Sequence, residues 1–150
     1  MVDVVDNATR SRMMSGIRSV DTKPELRLRR ALHARGFRFR LHDRSLPGSP
    51  DIVLPRWRAV IEVRGCFWHR HEGCRLTTTP ATRLEFWEAK FCSTMNRDRR
   101  NENLLQNAGW RVAVVWECSL RDKDIVGMVD NIDDWIKSAA TRLEIPSCKD

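Results

Sequence analysis

The chain predicts an α/β domain, one mixed β-sheet flanked by helices, on three observations. The apolar positions switch between a period of two and a period near 3.6 along the sequence. The segments fall in the order α-β-β-β-α-β-α, a pattern that packs helices against a mixed sheet. The length, 150 residues, suits one domain with one moderate core.

The elements follow in chain order. Residues 1–20 include "TRSRMMSGIRS", basic, polar and containing methionine, a short helix or an arm that orders on a partner. "DTKPELRLRRALHARG" reads as a helix: Asp21 or Thr22 caps it, Pro24 suits the first turn, Leu28, Ala31 and Leu32 share a face, and Gly36 ends it. "FRFRL" alternates with period two and predicts a strand, and "HDRSLPGSP" predicts a loop. "DIVL" and "RAVIEVR" predict a hairpin about a tight turn at Pro55–Trp57, with Ala59, Ile61 and Val63 on one side and Val60, Glu62 and Arg64 on the other. Periodicity then stops from Gly65 to Thr79, and loops of such length are usually functional or stapled by a metal. A long helix, or two, is expected from near Pro80 to a stop at Gly109. "WRVAVVWE" predicts a strand, and "DIVGMVDNIDDWIKSAATRL" an amphipathic helix. The domain is drawn over 21–145, with a loose tail at 146–150.

At 41% hydrophobic and 31% charged, the composition is that of a soluble globular protein. No apolar run approaches the roughly 20 residues of a bilayer span, and the N-terminus has no apolar signal core, so a cytoplasmic location is expected and a membrane is not. The net charge is +7, and the excess of Lys and Arg falls in the first two-thirds of the chain. A basic surface of that kind favours a polyanionic partner, most simply nucleic acid. Five cysteines in a reducing compartment read as thiols or metal ligands rather than as a disulfide framework.

"EVRGCFWHRHEGC" concentrates the chemistry. Cys66, His71 and Cys74 sit within nine residues, and Cys118 follows the apolar strand at a place where a loop can meet it. Four soft ligands make a closed tetrahedral zinc site, which would pin the long loop to the sheet. Buried or idle thiols are the alternative; Cys92 and Cys148 are not needed for the site.

A second signal is the pair "SPD" and "IEVR". Asp51 at the start of one strand and Glu62 on its hairpin neighbour meet at one sheet edge, where two carboxylates suit Mg²⁺. Such an ion activates water and neutralises charge on a phosphate. Arg64 cannot serve as a base, because it stays protonated, but suits a phosphate. His69, not needed for zinc, is placed to relay a proton. The spacing matches the P-D…E-x-K pattern of many nucleases, with Arg in the Lys place.

"ATRSRMMSGIRSVDTKPELRLRRAL", "SLPGSPDIV", "GCFWHRHEGC", "PATRLEFWEAK", "RDRR" and "GWRVAVVWECSLR" together resemble the very-short-patch repair (Vsr) mismatch endonucleases, in order from about residue 8 to 121. The resemblance implies a restriction-endonuclease-like fold with a structural zinc, and a bacterial, nucleoid-associated enzyme that uses Mg²⁺ to nick DNA 5′ of the T in a T:G mismatch. It implies Asp51 and the Val63 carbonyl as Mg²⁺ ligands, His69 as the catalytic histidine, Glu25 as a supporting acid, and Cys66, His71, Cys74 and Cys118 on zinc. It also implies that Phe67, Trp68 and Trp87 wedge into DNA from the major groove, with Met14 of the N-terminal DNA-contacting segment in the minor groove. Two positions depart from the family pattern: Glu62 replaces an apolar residue and Arg64 a histidine, and Gly73 is an insertion.

The sequence therefore leads to a monomeric endonuclease of T:G-mismatched duplex DNA, with a MutL-type repair protein as a candidate partner. Two rivals stand beside it: a restriction-type endonuclease of lower or different specificity, and a zinc-stabilised DNA-binding protein without catalysis.

Overall fold

The computed structural model describes residues 21–146. The elements are α1 (Lys23–Ala34), β1 (Arg40–Leu41), β2 (Ile52–Leu54), a 3₁₀ turn (Pro55–Trp57), β3 (Ala59–Arg64), α2 (Leu84–Asn107), β4 (Arg111–Trp116), α3 (Glu117–Leu120), α4 (Val126–Ile136) and β5 (Arg142–Ile145). The strands form one five-stranded sheet in the order β1-β2-β3-β4-β5. β1, β2 and β3 are antiparallel; β4 and β5 run parallel to β3. The expected mixed sheet is present. The N-terminal segment 1–20, with Met14, and residues 147–150 lie outside the described residues.

Period two in β3 and β4 gives the sheet two apolar faces. On one face Ile52, Leu54, Ala59, Ile61, Ala113 and Val115 pack with Leu28 and Leu32 of α1 and with Val129, Ile132 and Ile136 of α4. On the other, Val53, Val60, Val112, Val114 and Trp116 pack with Leu105 of α2 and with Cys66, Cys74 and Cys118. The long loop is thus part of one layer, drawn onto the sheet beside α2. The hairpin turn is a 3₁₀ turn closed by Arg58 in the left-handed region. Arg111 at the foot of β4 ties three pieces together by donating to the carbonyls of Trp57, Trp135 and Ile136 at 2.7–3.0 Å.

Three boundaries differ from the sequence expectation. The strand expected over residues 37–41 pairs only at Arg40 and Leu41, because Phe37 belongs to the end of α1. Gly36 N–H donates to His33 O and Phe37 N–H to Leu32 O, at 3.0 and 3.2 Å, while Phe37 is buried beside Leu32. This is a Schellman ending, with Gly36 at φ +91° in the position that requires a left-handed residue. Gly109 and Trp110 close α2 in the same way on Gln106 and Leu105.

α2 is a single helix, and it starts at Leu84, not near Pro80. The residues before it are held by the loop: Arg70 donates to Thr78 O at 2.8 Å, Thr77 Oγ1 donates to His71 O at 2.6 Å, and Arg83 is left-handed. At the other end, the amphipathic helix stops at Ile136, and residues 142–145 form a fifth strand. There the period changes from 3.6 to two, with Leu143 and Ile145 on the core.

At Gly36 a Cβ would meet nothing within 4 Å, so Gly36→Ala isolates the backbone cost. Urea unfolding is expected to show a loss of about 1 kcal/mol; an unchanged or raised stability would exclude the Schellman account.

Candidate active site and metal centre

The hairpin register pairs Ile52 with Ile61 and leaves Asp51 just past the last rung. There the side chain takes over from the ladder: Val63 N–H donates to Asp51 Oδ2 at 2.7 Å. Asp51 is thereby fixed at the sheet edge, and Val63 joins it in lining a cleft that also holds Glu25, His69, Asp98 and Asn101.

Glu25 reaches this edge from α1. It is 2% exposed, its carboxylate accepts from Asp21 N–H at 2.6 Å, and Arg29 donates to it at 2.8 Å. Thr22 caps the helix by accepting from Glu25 N–H. Burial, first, and a hydrogen bond with the Glu25 carboxyl push the Asp51 carboxyl up to about 8. Both effects bias the Asp51 carboxyl toward its protonated form.

His69 arrives on the loop. Its Nδ1 lies 2.6 Å from Asp98 Oδ2 on α2. A carboxylate only accepts, so Nδ1 is the donor in this bond, and in a neutral ring Nε2 is then the nitrogen with the lone pair. That is the form a general base needs.

Glu62 and Arg64 point toward α2 and pair with each other at 2.8 Å; Arg64 also lies 3.7 Å from Glu102. Glu102 in turn pairs with Arg142, which holds Glu144 at 2.9 Å. Burial, first, raises the Glu62 carboxyl, opposed by Arg64. Both residues line a recess with Asp51, His42, His69 and Asp98. The two residues that depart from the family pattern therefore form an ion pair on one β3 face.

The ligand atoms of Cys66, His71, Cys74 and Cys118 all lie within 4.8 Å of one another. His71 Nδ1 is 3.6 Å from Cys66 Sγ and 3.5 Å from Cys118 Sγ, and its ring stacks on Trp116 at 4.3 Å. Burial, first, raises the Cys66 and Cys118 thiols, whereas at Cys74 burial is outweighed by hydrogen bonds from Leu76 N–H and the neighbouring thiols, which lower it. The four donors fit a soft or borderline metal ion.

Phe67, Trp68 and Trp87 come together, with centroids 5.1–5.8 Å apart, half-buried beside the cleft. Phe91 backs them at 5.3 Å from Phe67, and Phe86 stands 49% exposed against Trp87. The sequence reading missed Asp98, Phe86, Phe91 and His42. Asp98 was concealed as the one acid of the basic run "NRDRR". Phe86 and Phe91 flank Trp87 at helical spacing, a signal that was available.

Comparison with known proteins gives one family model, described as DNA mismatch endonuclease Vsr, matching residues 2–75. The DNA mismatch endonuclease Vsr of Escherichia coli (strain K12) is 46% identical over 139 residues, 91% of this chain and 88% of that protein. The type II nicking enzyme V.XorIIP of Xanthomonas oryzae pv. oryzae is 48% identical over 81% of this chain and 89% of its own length. The type II nicking enzyme V.NmeAIP of Neisseria meningitidis is 40% identical over 83% and 89%.

The raised Asp51 value has a measurable sign. Its folded pKa stands above the ordinary 3.8, so its contribution to stability is complete below about pH 4 and is lost as pH rises through about 8. Asp51→Asn keeps a neutral group throughout. In buffer without divalent cations, its thermal midpoint should gain on the parent's between pH 6 and pH 9; a difference that does not change with pH would remove the buried-acid account.

Proposed function

The chain belongs to the Vsr family of DNA mismatch endonucleases and is a DNA endonuclease, and from that premise we propose that it nicks one strand of duplex DNA on the 5′ side of the T in a T:G mismatch, in the presence of Mg²⁺. The observation that carries this reading is the cleft itself: the buried Glu25 with the half-buried Asp51, and a carboxylate-oriented His69, stand directly beside the aromatic cluster. A restriction-endonuclease-like architecture belongs to the same reading, supported by the mixed sheet with its acid at the edge of the hairpin.

Asp51, with the Val63 carbonyl, would hold Mg²⁺; Glu62 adds a nearby oxygen donor that Arg64 already engages. Bound there, Mg²⁺ supplies Lewis-acid neutralisation of the phosphate and a more acidic water. His69 Nε2 accepts the proton of the attacking water as the P–O bond breaks, and Asp98 stabilises the charge that the ring acquires. Arg64 places positive charge in the same recess.

Phe67, Trp68 and Trp87 serve as the wedge. Unstacking a base step costs a few kcal/mol, and least at a mismatch, so inserted rings favour mismatched sites. Met14 belongs to the same reading from the N-terminal segment. Zinc on Cys66, His71, Cys74 and Cys118 would hold the wedge loop on the sheet. No described helix is long and apolar enough to cross a membrane, in keeping with a cytoplasmic enzyme that meets the chromosome as a monomer and hands its nick to repair proteins of the MutL type.

The deciding experiment is strand-specific nicking of a labelled duplex carrying one T:G mismatch, beside its matched control, with Mg²⁺ or EDTA. A Mg²⁺-dependent nick 5′ of the T, absent from the matched duplex, is expected. Cutting of both strands of matched DNA would replace this reading with a restriction-type one, and binding without cleavage would reduce the protein to a DNA-binding module.

Trp68→Ala should lower the preference for mismatched over matched duplex in a competition assay; an equal loss on both would dismiss the wedge. Cys118→Ser should lose stoichiometric zinc, measured by emission spectrometry, and melt well below the parent. A variant that keeps the parent's melting temperature without zinc would reject the structural ion.

A further inference from the structure

Asp51 and Glu25 are backed by two residues that the proposed chemistry does not use. Arg29 lies one turn beyond Glu25 on α1. Its Nη2 is 2.8 Å from Glu25 Oε2 and 2.8 Å from His42 Nε2, and it pairs with the Asp21 carboxylate. His42 follows β1 in a left-handed conformation, φ +48°, and its N–H donates to Asp51 O at 3.2 Å. That backbone bond sets the ring between the two acids: Nδ1 is 3.6 Å from Asp51 Oδ1 and Nε2 is 3.6 Å from Glu25 Oε2. A guanidinium has donors only, so His42 Nε2 accepts from Arg29 and the ring proton resides on Nδ1, the nitrogen nearer Asp51.

Asp21, Glu25 and His42 bring their ligand atoms within 4.8 Å of one another, a grouping that resembles a second metal site. Arg29 occupies it. The guanidinium Nη2 lies within 2.8 Å of an atom of each, and its positive charge opposes a metal cation in the same place. The arginine is itself held at a cost, since its Nε is buried without a hydrogen bond among the described residues. Its place follows from the carboxylates it serves.

We propose that Arg29 and His42 form a bracket that positions the Glu25–Asp51 carboxyl pair for binding the catalytic metal ion. They are positioning residues. Arg29 draws Glu25 Oε2 and Asp21 to itself, while the Asp51 carboxyl is held by Val63 N–H on Oδ2 and has the His42 ring 3.6 Å from Oδ1. Outer partners of metal ligands commonly change metal affinity by about 10–100-fold when removed. This inference rests on the reading of Asp51 as a metal ligand.

The test uses the full chain as Arg29→Met, His42→Gln, Glu25→Gln and the Arg29→Met/Glu25→Gln double variant. Mn²⁺ binding to DNA-free protein is followed by electron paramagnetic resonance, and nicking is followed against Mg²⁺ concentration. Arg29→Met should weaken Mn²⁺ binding and raise the half-saturating Mg²⁺ by about tenfold, with duplex affinity in the absence of divalent ions unchanged. His42→Gln should shift both in the same direction by less, and it serves as the probe if Arg29→Met fails to fold. Because Arg29 acts through Glu25, the double variant should nick no more slowly than Glu25→Gln alone. Unchanged or tighter metal binding, additive losses in the double variant, or a Glu25→Gln enzyme as fast as the parent would each overturn the bracket. A parent that nicks equally in Mg²⁺ and EDTA would overturn the metal reading itself, and the bracket with it, whereas the other outcomes overturn the bracket alone.

Discussion

The hydrogen bond from Val63 N–H to Asp51 Oδ2 is the contact on which the cleft depends. It substitutes a side-chain oxygen for a backbone carbonyl at the point where the β2–β3 ladder ends. An acid held by a strand edge has little rotamer freedom, which a metal-binding or catalytic group requires. The same strand runs on for one residue and turns into the loop that carries His69, so acid and imidazole are placed from a single piece of sheet. Helix α2 completes the arrangement from the other side of β3, because Asp98 and Glu102 lie four residues apart on one helical face and meet His69 and Arg64 respectively.

Two ion-pair networks flank this edge. One, centred on Arg29, lies on the α1 side and holds acids that bear on the cleft. The other runs from Glu62 through Arg64, Glu102 and Arg142 to Glu144, and joins β3, α2 and β5. Both are largely shielded from water, where an unpaired charge would be costly. Glu25 and Glu62 therefore each sit beside an arginine that limits how much negative charge accumulates at the cleft.

The fold class and both helix stops were legible in the chain. "ARGF" and "NAGW" announce the ends of α1 and α2, and alternation announced β3 and β4. What escaped was decided by tertiary contacts. Phe37 has the alternation of a strand but is spent on a helix end, and Leu143 and Ile145 are too short a run to stand out from the helix before them. At the site, the grouping of Cys66, His71, Cys74 and Cys118 and the candidacy of Asp51 and His69 for the cleft were legible because few residue types offer such donors. Asp98 and His42 were not, because an acid in a basic helix and a histidine in a turn have many ordinary uses. Only the packing of α2 on the loop, and of β1 on β2, gives them their partners. Glu62 and Arg64 matched a pattern by spacing, while the structure adds the helix residue, Glu102, that makes them one end of a longer network.

The span from Cys66 to His71 is anchored at both ends: each contributes to the four-ligand cluster, and His71 N–H also bonds to Cys66 O at 3.0 Å. Phe67, Trp68 and His69 lie between those anchors on a closed ring of backbone. A ring so short transmits displacement rather than absorbing it. If the aromatic pair is displaced, the imidazole of the next residue moves with it, and on the proposed reading a poor fit at the wedge is felt as misalignment of the general base, so that discrimination enters the rate as well as the affinity. On the far side of His71 the packing is looser: a Cβ at Gly73 would meet nothing within 4 Å.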